Sequence, residues 1–117
     1  VTDIGRYAFY DCNVLTSVVI PHSVTFIGDY AFSGCSVLAS VTIPNLVTYI
    51  NQYVFSDCCG LTSITIPNSV TGISSDAFLG CTDLTKLVIE DGDTPIAFNY
   101  NSGNAPYILM TYLLTVL

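Results

Sequence analysis

Fixed positive charge is almost missing from this chain. Arg6 and Lys86 are the only basic side chains of their kind in 117 residues, against nine Asp and Glu, for a formal net charge of -7. That balance excludes nucleic-acid binding, because phosphate contacts require clustered Lys and Arg, and it excludes attraction to an anionic membrane surface. Histidine occurs once, at His22, so no multi-histidine metal site can form. Its column neighbours are Asn45 and Asn68, which makes His22 a turn residue. There is no CxxC pair, glycine-rich phosphate loop, Ser/His/Asp set or nucleotide fingerprint. The longest apolar run, Tyr107 to Leu117, falls short of the roughly 20 residues a helix needs to cross a bilayer. With only 9% charged residues, the solvent-facing positions must be filled by Thr, Ser, Asn and Tyr. Such a surface is common in exported and cell-surface proteins.

What the chain has in abundance is order. Ile20, Ile43, Ile66 and Ile89 are spaced 23 residues apart, and Phe9, Phe32, Phe55 and Phe78 keep the same step. So do Cys12, Cys35, Cys58 and Cys81; Leu15, Leu38, Leu61 and Leu84; and Ile4, Ile27, Ile50 and Ile73. A constant step held by several apolar columns marks a solenoid, in which identical residues of successive coils stack on one another. Val1 falls in the column of Val24, Val47 and Val70, so the chain is expected to begin inside a repeat, with no leader in view.

Within each unit the residues before Ile-Pro alternate apolar and polar: Val18/Ile20, Val41/Ile43, Ile64/Ile66 and Leu87/Ile89 are two apart. That period predicts strands with one buried face, pairing in parallel rung on rung. Pro21, Pro44 and Pro67 have no N-H for a ladder and end the first three strands. Further on, Ala31, Phe32 and Cys35 have the spacing of a single helical turn, predicting a short α or 3₁₀ turn opposite the strands. The expected organisation is a solenoid over residues 1–93, a partial first repeat and three complete ones, and a non-repeat end segment over 94–117. In that segment Thr94 to Pro106 reads as loop, and Tyr107 to Leu117 as a strand or cap on the last rung or a surface that pairs with another molecule.

The cysteines invite a metal reading that geometry rejects. Rungs about 4.8 Å apart spread a four-cysteine column over roughly 14 Å, whereas tetrahedral zinc needs its sulfurs about 2.3 Å from one centre. The column is read as buried free thiols acting as small hydrophobes. A Cys35–Cys58 bridge is near the required separation, but stacked side chains point the same way and seldom meet the torsion. Cys59, in the column of Asn13, Ser36 and Thr82, is expected to be more exposed. The acidic turn Glu90-Asp-Gly-Asp93 lacks the ligand series of a calcium loop. No general base or nucleophile stands in a recognisable setting, so the chain is expected to have no enzymatic activity and no cofactor.

Leu61 to Ile73, LTSITIPNSVTGI, followed by Ala77-Phe78 and Cys81, resembles the BspA-like (treponemal-type) leucine-rich repeats. The resemblance covers Val1 to Ile89; Val54 replaces the usual Ala, Asn51 and Ser74 replace Gly, and Cys59 is additional. It implies an α/β fold, a right-handed leucine-rich-repeat solenoid of 23-residue repeats with parallel strands on one face and short helical turns on the other. It also implies an extracellular or cell-surface location and adhesion to host or matrix proteins.

The remaining candidate site is the outward strand face: Ser17, Val19, Ser40, Thr42, Ser63, Thr65, Lys86 and Val88. Rigid arrays of this kind bind proteins with little loss of ordering entropy. The expected partner is a protein, with spacer repeats, or a glycan- or ice-binding Ser/Thr face, as competing readings. Tyr7, Tyr30, Tyr53 and Tyr49 are expected on the turn side, as binding anchors or as cover for the Phe column. Exposed stack ends would also allow an end-to-end homodimer.

Overall fold

A computed structural model describes residues 1–90 and the backbone of 97–99. Among the described residues nine strands run in chain order: β1 (Asp3–Ile4), β2 (Ser17–Val18), β3 (Phe26–Ile27), β4 (Ser40–Thr42), β5 (Tyr49–Ile50), β6 (Ser63–Ile66), β7 (Gly72–Ser74), β8 (Lys86–Ile89) and β9 (Ala97–Asn99). Every pairing is parallel. The long sheet has the order β2-β4-β6-β8, one strand from each coil. Its register follows the repeat: Ser17, Ser40, Ser63 and Lys86 are partners in turn, as are Val18, Val41, Ile64 and Leu87. The chain is therefore a parallel solenoid of about four coils.

A second line of short strands is divided into β1-β3 and β5-β7-β9. Between β3 and β5 the ladder is interrupted, and there the side chain of Asn51 donates from Nδ2 to the Ile27 carbonyl at 2.6 Å. The Gly28 column becomes Asn at this coil, and its amide supplies the cross-coil hydrogen bond. After β7 the step lengthens, since Gly72 pairs with Ala97, Ile73 with Phe98 and Ser74 with Asn99. The stretch expected as loop from Thr94 thus contains a strand, laid on the edge that β7 offers. The end expected over Tyr107 to Leu117 and the acidic residues Asp91 and Asp93 lie outside the described residues.

The core is the set of apolar columns. Phe32, Phe55 and Phe78 are fully buried with Leu38, Leu61, Val24, Val47, Val70, Ile50 and Ile73 around them. The Phe rings form one pile, with centroids 5.1 Å apart for Phe9–Phe32, 5.6 Å for Phe32–Phe55 and 5.8 Å for Phe55–Phe78, all within 12° of parallel. Each buried Phe contributes roughly 1.5–3 kcal/mol by leaving water, and ring pairing adds about 0.5–1.5 kcal/mol. Pro21, Pro44 and Pro67 each open a tight turn, their carbonyls accepting from Val24, Val47 and Val70 at 3.0–3.1 Å.

The segment opposite the strands departs from expectation. No helix occurs among the described residues; a run of turns stands in its place. Tyr7, Tyr30 and Tyr53 have φ of 58–61°, and Asp11, Gly34, Asp57 and Gly80 are also left-handed. Two left-handed residues in each of the first three coils, and one in the fourth, interrupt the right-handed path that a helical turn requires. The backbone donors are shared instead between local and neighbouring acceptors. Ala8, Tyr10 and Cys12 donate to Gly5, Tyr7 and Phe9 of their own coil, while Tyr7, Phe9 and Asp11 donate to Asp29, Ala31 and Ser33 of the next. The same alternation recurs from Tyr30 to Cys35. Each donor thus finds an acceptor without a helix.

Candidate interaction surfaces

The strand face lies where the period places it. Ser17, Ser40 and Lys86 are exposed and Ser63 half-buried in one register row. Thr42, Thr65 and Val88 form the next row. Val19 is 91% exposed but lies just past the end of β2, so it joins the column without joining the ladder. Because rows of parallel strands are about 4.8 Å apart, these side chains make a closely spaced, flat array of hydroxyls with aliphatic ends and a cation at one corner.

The turn side carries a second surface. Tyr7, Tyr30 and Tyr53 stack with centroids 4.9 and 4.7 Å apart and planes within 11° of parallel. Tyr10, which the column pattern does not single out, lies 5.3 Å from Tyr7 and 6.4 Å from Tyr30 with its plane steeply inclined to both. Being near both members of a stack, it sits alongside the pile and not at its end. Its position three residues after Tyr7 was the available signal. Tyr7 and Tyr10 are each about half exposed (47% and 48%). The Arg6 guanidinium is 5.8 Å from the Tyr7 ring centroid, within cation-π range. Burial raises the Tyr30 phenol above its ordinary pKa, helped by Tyr53, Tyr7, Tyr10 and Asp29. Tyr49 is not on this side: it belongs to β5, in register with Gly72.

At the fourth place of the tyrosine column stands Asp76, which is buried with Ser74 and Ser75 beside it in sequence. Its Oδ1 has no hydrogen-bond partner among the described residues. Asp11 and Asp57 lie over the glycines of the following coils, Gly34 and Gly80. Sequence reading missed both features because they depend on atoms from adjacent coils.

The cysteines are free thiols with a bonding role beyond filling space. Cys35, Cys58 and Cys81 donate through Sγ to the carbonyls of Phe9, Phe32 and Phe55 at 3.0–3.2 Å. Those carbonyls also accept the backbone N-H of Cys12, Cys35 and Cys58. Burial pushes the Cys35 and Cys58 thiols up and the Cys81 thiol to about 12, so each keeps the proton it donates. Cys59 is exposed, as expected from its column. His22 is exposed on the turn after Pro21.

Parallel coils, one pile of Phe rings and a recurring strand of the pattern Leu-x-x-(Val/Ile/Leu)-x-Ile define a solenoid of the leucine-rich-repeat class. The family model described as BspA type leucine rich repeat region (6 copies) matches residues 1–103. The chain belongs to that family. A leucine rich repeat protein of T. pallidum, known from a crystal structure, is similar at 28% identity and a TM-score of 0.82, over 99% of this chain and 55% of that one. A leucine rich cell surface protein from Faecalibacterium prausnitzii A2-165 is similar at 33% identity and a TM-score of 0.63, over 80% of this chain and 31% of that one. The chain thus matches about half the length of the first and under a third of the second. No protein of curated function matches. No helix among the described residues is long and apolar enough to cross a membrane.

Proposed function

We propose that this chain is the interaction part of an extracellular, cell-surface adhesin, holding a host or matrix protein against the strand face without catalysis or a cofactor. The observation that supports it is the in-register array of Ser17, Ser40, Ser63 and Lys86 beside Thr42, Thr65 and Val88. Strands locked by a continuous core present these groups in one geometry, so little ordering entropy is lost on binding. Membership of the family and the likeness to a cell surface protein support the location. The division into a repeat unit over 1–93 and an end segment over 94–117 that covers the last coil belongs to the same proposal. So does end-to-end pairing, since Ile4, Phe9 and Leu15 of the first coil are only half-buried where their later equivalents are buried.

Surface plasmon resonance of the folded chain against a panel of matrix proteins and host-cell surfaces tests the reading. A variant carrying Ser40→Lys, Thr42→Lys, Ser63→Lys and Thr65→Lys should lose any binding found. Unchanged binding in that variant, with the fold intact, would return the strand face to the role of spacer.

A further inference from the structure

We infer that the tyrosine ladder on the turn side, Tyr7, Tyr10, Tyr30 and Tyr53, is a second docking surface, fitted to an arginine-rich segment of a partner protein. This surface is separate from the strand face and does not rest on its being an adhesin site. The ladder is aromatic and accessible: Tyr7 and Tyr10 are about half exposed, and Tyr10 lies along the pile with its ring free of the stack's order.

The ladder is also held at a cost. Tyr7, Tyr30 and Tyr53 sit at φ near +60°, a conformation that is unfavourable for a bulky L-residue and that Gly or Asn would adopt more easily. Strain that persists in three coils is the kind found at working surfaces. Where the column has Asp76 in place of Tyr, the left-handed conformation is not found.

Charge identifies the occupant. Asp11 and Asp57 are exposed on the same turns as Tyr7, Tyr10 and Tyr53, and Asp29 is near enough to Tyr30 to act on its phenol. The chain has two fixed cations; Lys86 lies in β8, and Arg6 stands against the Tyr7 ring. Arg6 therefore shows within the molecule how a guanidinium meets this surface. A planar guanidinium stacks on aromatic rings and forks to carboxylates, which the more strongly hydrated ammonium of lysine does less well. Phenol rings with a carboxylate in each of the first three coils, Asp11, Asp29 and Asp57, suit a segment with several arginines.

Isothermal titration of the 117-residue chain with an octa-arginine peptide tests the inference, with octa-glutamate as the control at the same salt. Tyr10→Ser brings in the residue that Ser33 and Ser56 already supply in that column, and Tyr30→Asn keeps a side chain tolerant of the left-handed backbone. Octa-arginine should bind and octa-glutamate should not. Each variant, with its circular dichroism unchanged, should weaken binding roughly threefold, whereas Thr42→Val with Thr65→Val on the strand face should leave it as it was. If Tyr30→Asn does not fold, Tyr10→Ser decides alone. Absence of binding would overturn the inference. So would equal affinity in Tyr10→Ser, since the attraction would then be one of net charge, or a loss caused by the strand-face variant.

Discussion

The carboxylate of Asp11 stands in the space that a side chain at Gly34, one coil further on, would need. Asp57 stands in the same way over Gly80, so the column alternates Asp, Gly, Asp, Gly along the solenoid. A left-handed turn tolerates either residue, but the packing does not tolerate two side chains in succession.

Gly34→Ala should therefore destabilise the fold by about 2 kcal/mol, combining the left-handed strain of an L-residue with displacement of the Asp11 side chain. Gly5, at an unremarkable φ, has no atom within 4 Å of a would-be Cβ. Gly5→Ala should stay within about 0.5 kcal/mol of the parent. Urea unfolding of the two variants side by side checks the contrast.

Phe55 is buried between Phe32 and Phe78 in the aromatic pile. Phe55→Ala should cost about 3–5 kcal/mol, as expected when a large buried ring leaves a cavity. Phe9 is half-buried at the first coil, so Phe9→Ala should cost markedly less. Thermal melts of both variants would show the order.

Stability should fall in alkali. The Cys81 thiol, raised by burial to about 12, keeps its proton in the folded state after the unfolded chain, with an ordinary value of 9.0, has lost it. Its contribution is therefore fully present below about 9 and is lost as pH rises towards 12. Cys58 and Cys35 shift in the same direction. The midpoint of unfolding should drop across that window, and less steeply in Cys81→Ala.

Thiol labelling gives an independent reading of the same column. Cys59 is exposed, whereas Cys35 and Cys58 are buried and protonated. A disulfide reagent at pH 8 should modify Cys59 first and reach Cys35 and Cys58 only on unfolding. Peptide mapping of the labelled protein would identify the sites.

Asp76 carries a carboxylate oxygen without a hydrogen-bond partner among the described residues, in a buried setting. A buried acceptor without a hydrogen bond is unfavourable by about 1–3 kcal/mol. Asp76→Ala, which removes that acceptor, should consequently raise stability by about 1 kcal/mol, read as a higher urea midpoint with unchanged slope.

Much of the architecture is legible in the amino-acid sequence alone. The recurrence of Phe32, Phe55 and Phe78 foretold a shared spine, and the two-residue alternation around Ile64 foretold which side of β6 faces it. The outward row from Ser17 to Lys86 followed from the same register. The helical turn expected on the other side is not found among the described residues, because Ala31, Phe32 and Cys35 satisfy a helical spacing equally well when alternate N-H groups leave the coil for the next one. Spacing records which side chains face inward and carries no information about where the donors go. Tyr10 escaped notice for a related reason: it has no tyrosine in its column, and its importance comes from standing beside two rings of another.

The amino-acid sequence by itself determined the period, the inward columns and the parallel register, because one step length repeated without change can place equal residues only above one another. Tertiary structure alone decided the left-handed tyrosines, the thiol donors to Phe carbonyls, the Asp11 and Gly34 alternation and the break that Asn51 bridges. Each of those is settled by the meeting of atoms from neighbouring coils, at distances that no single repeat contains.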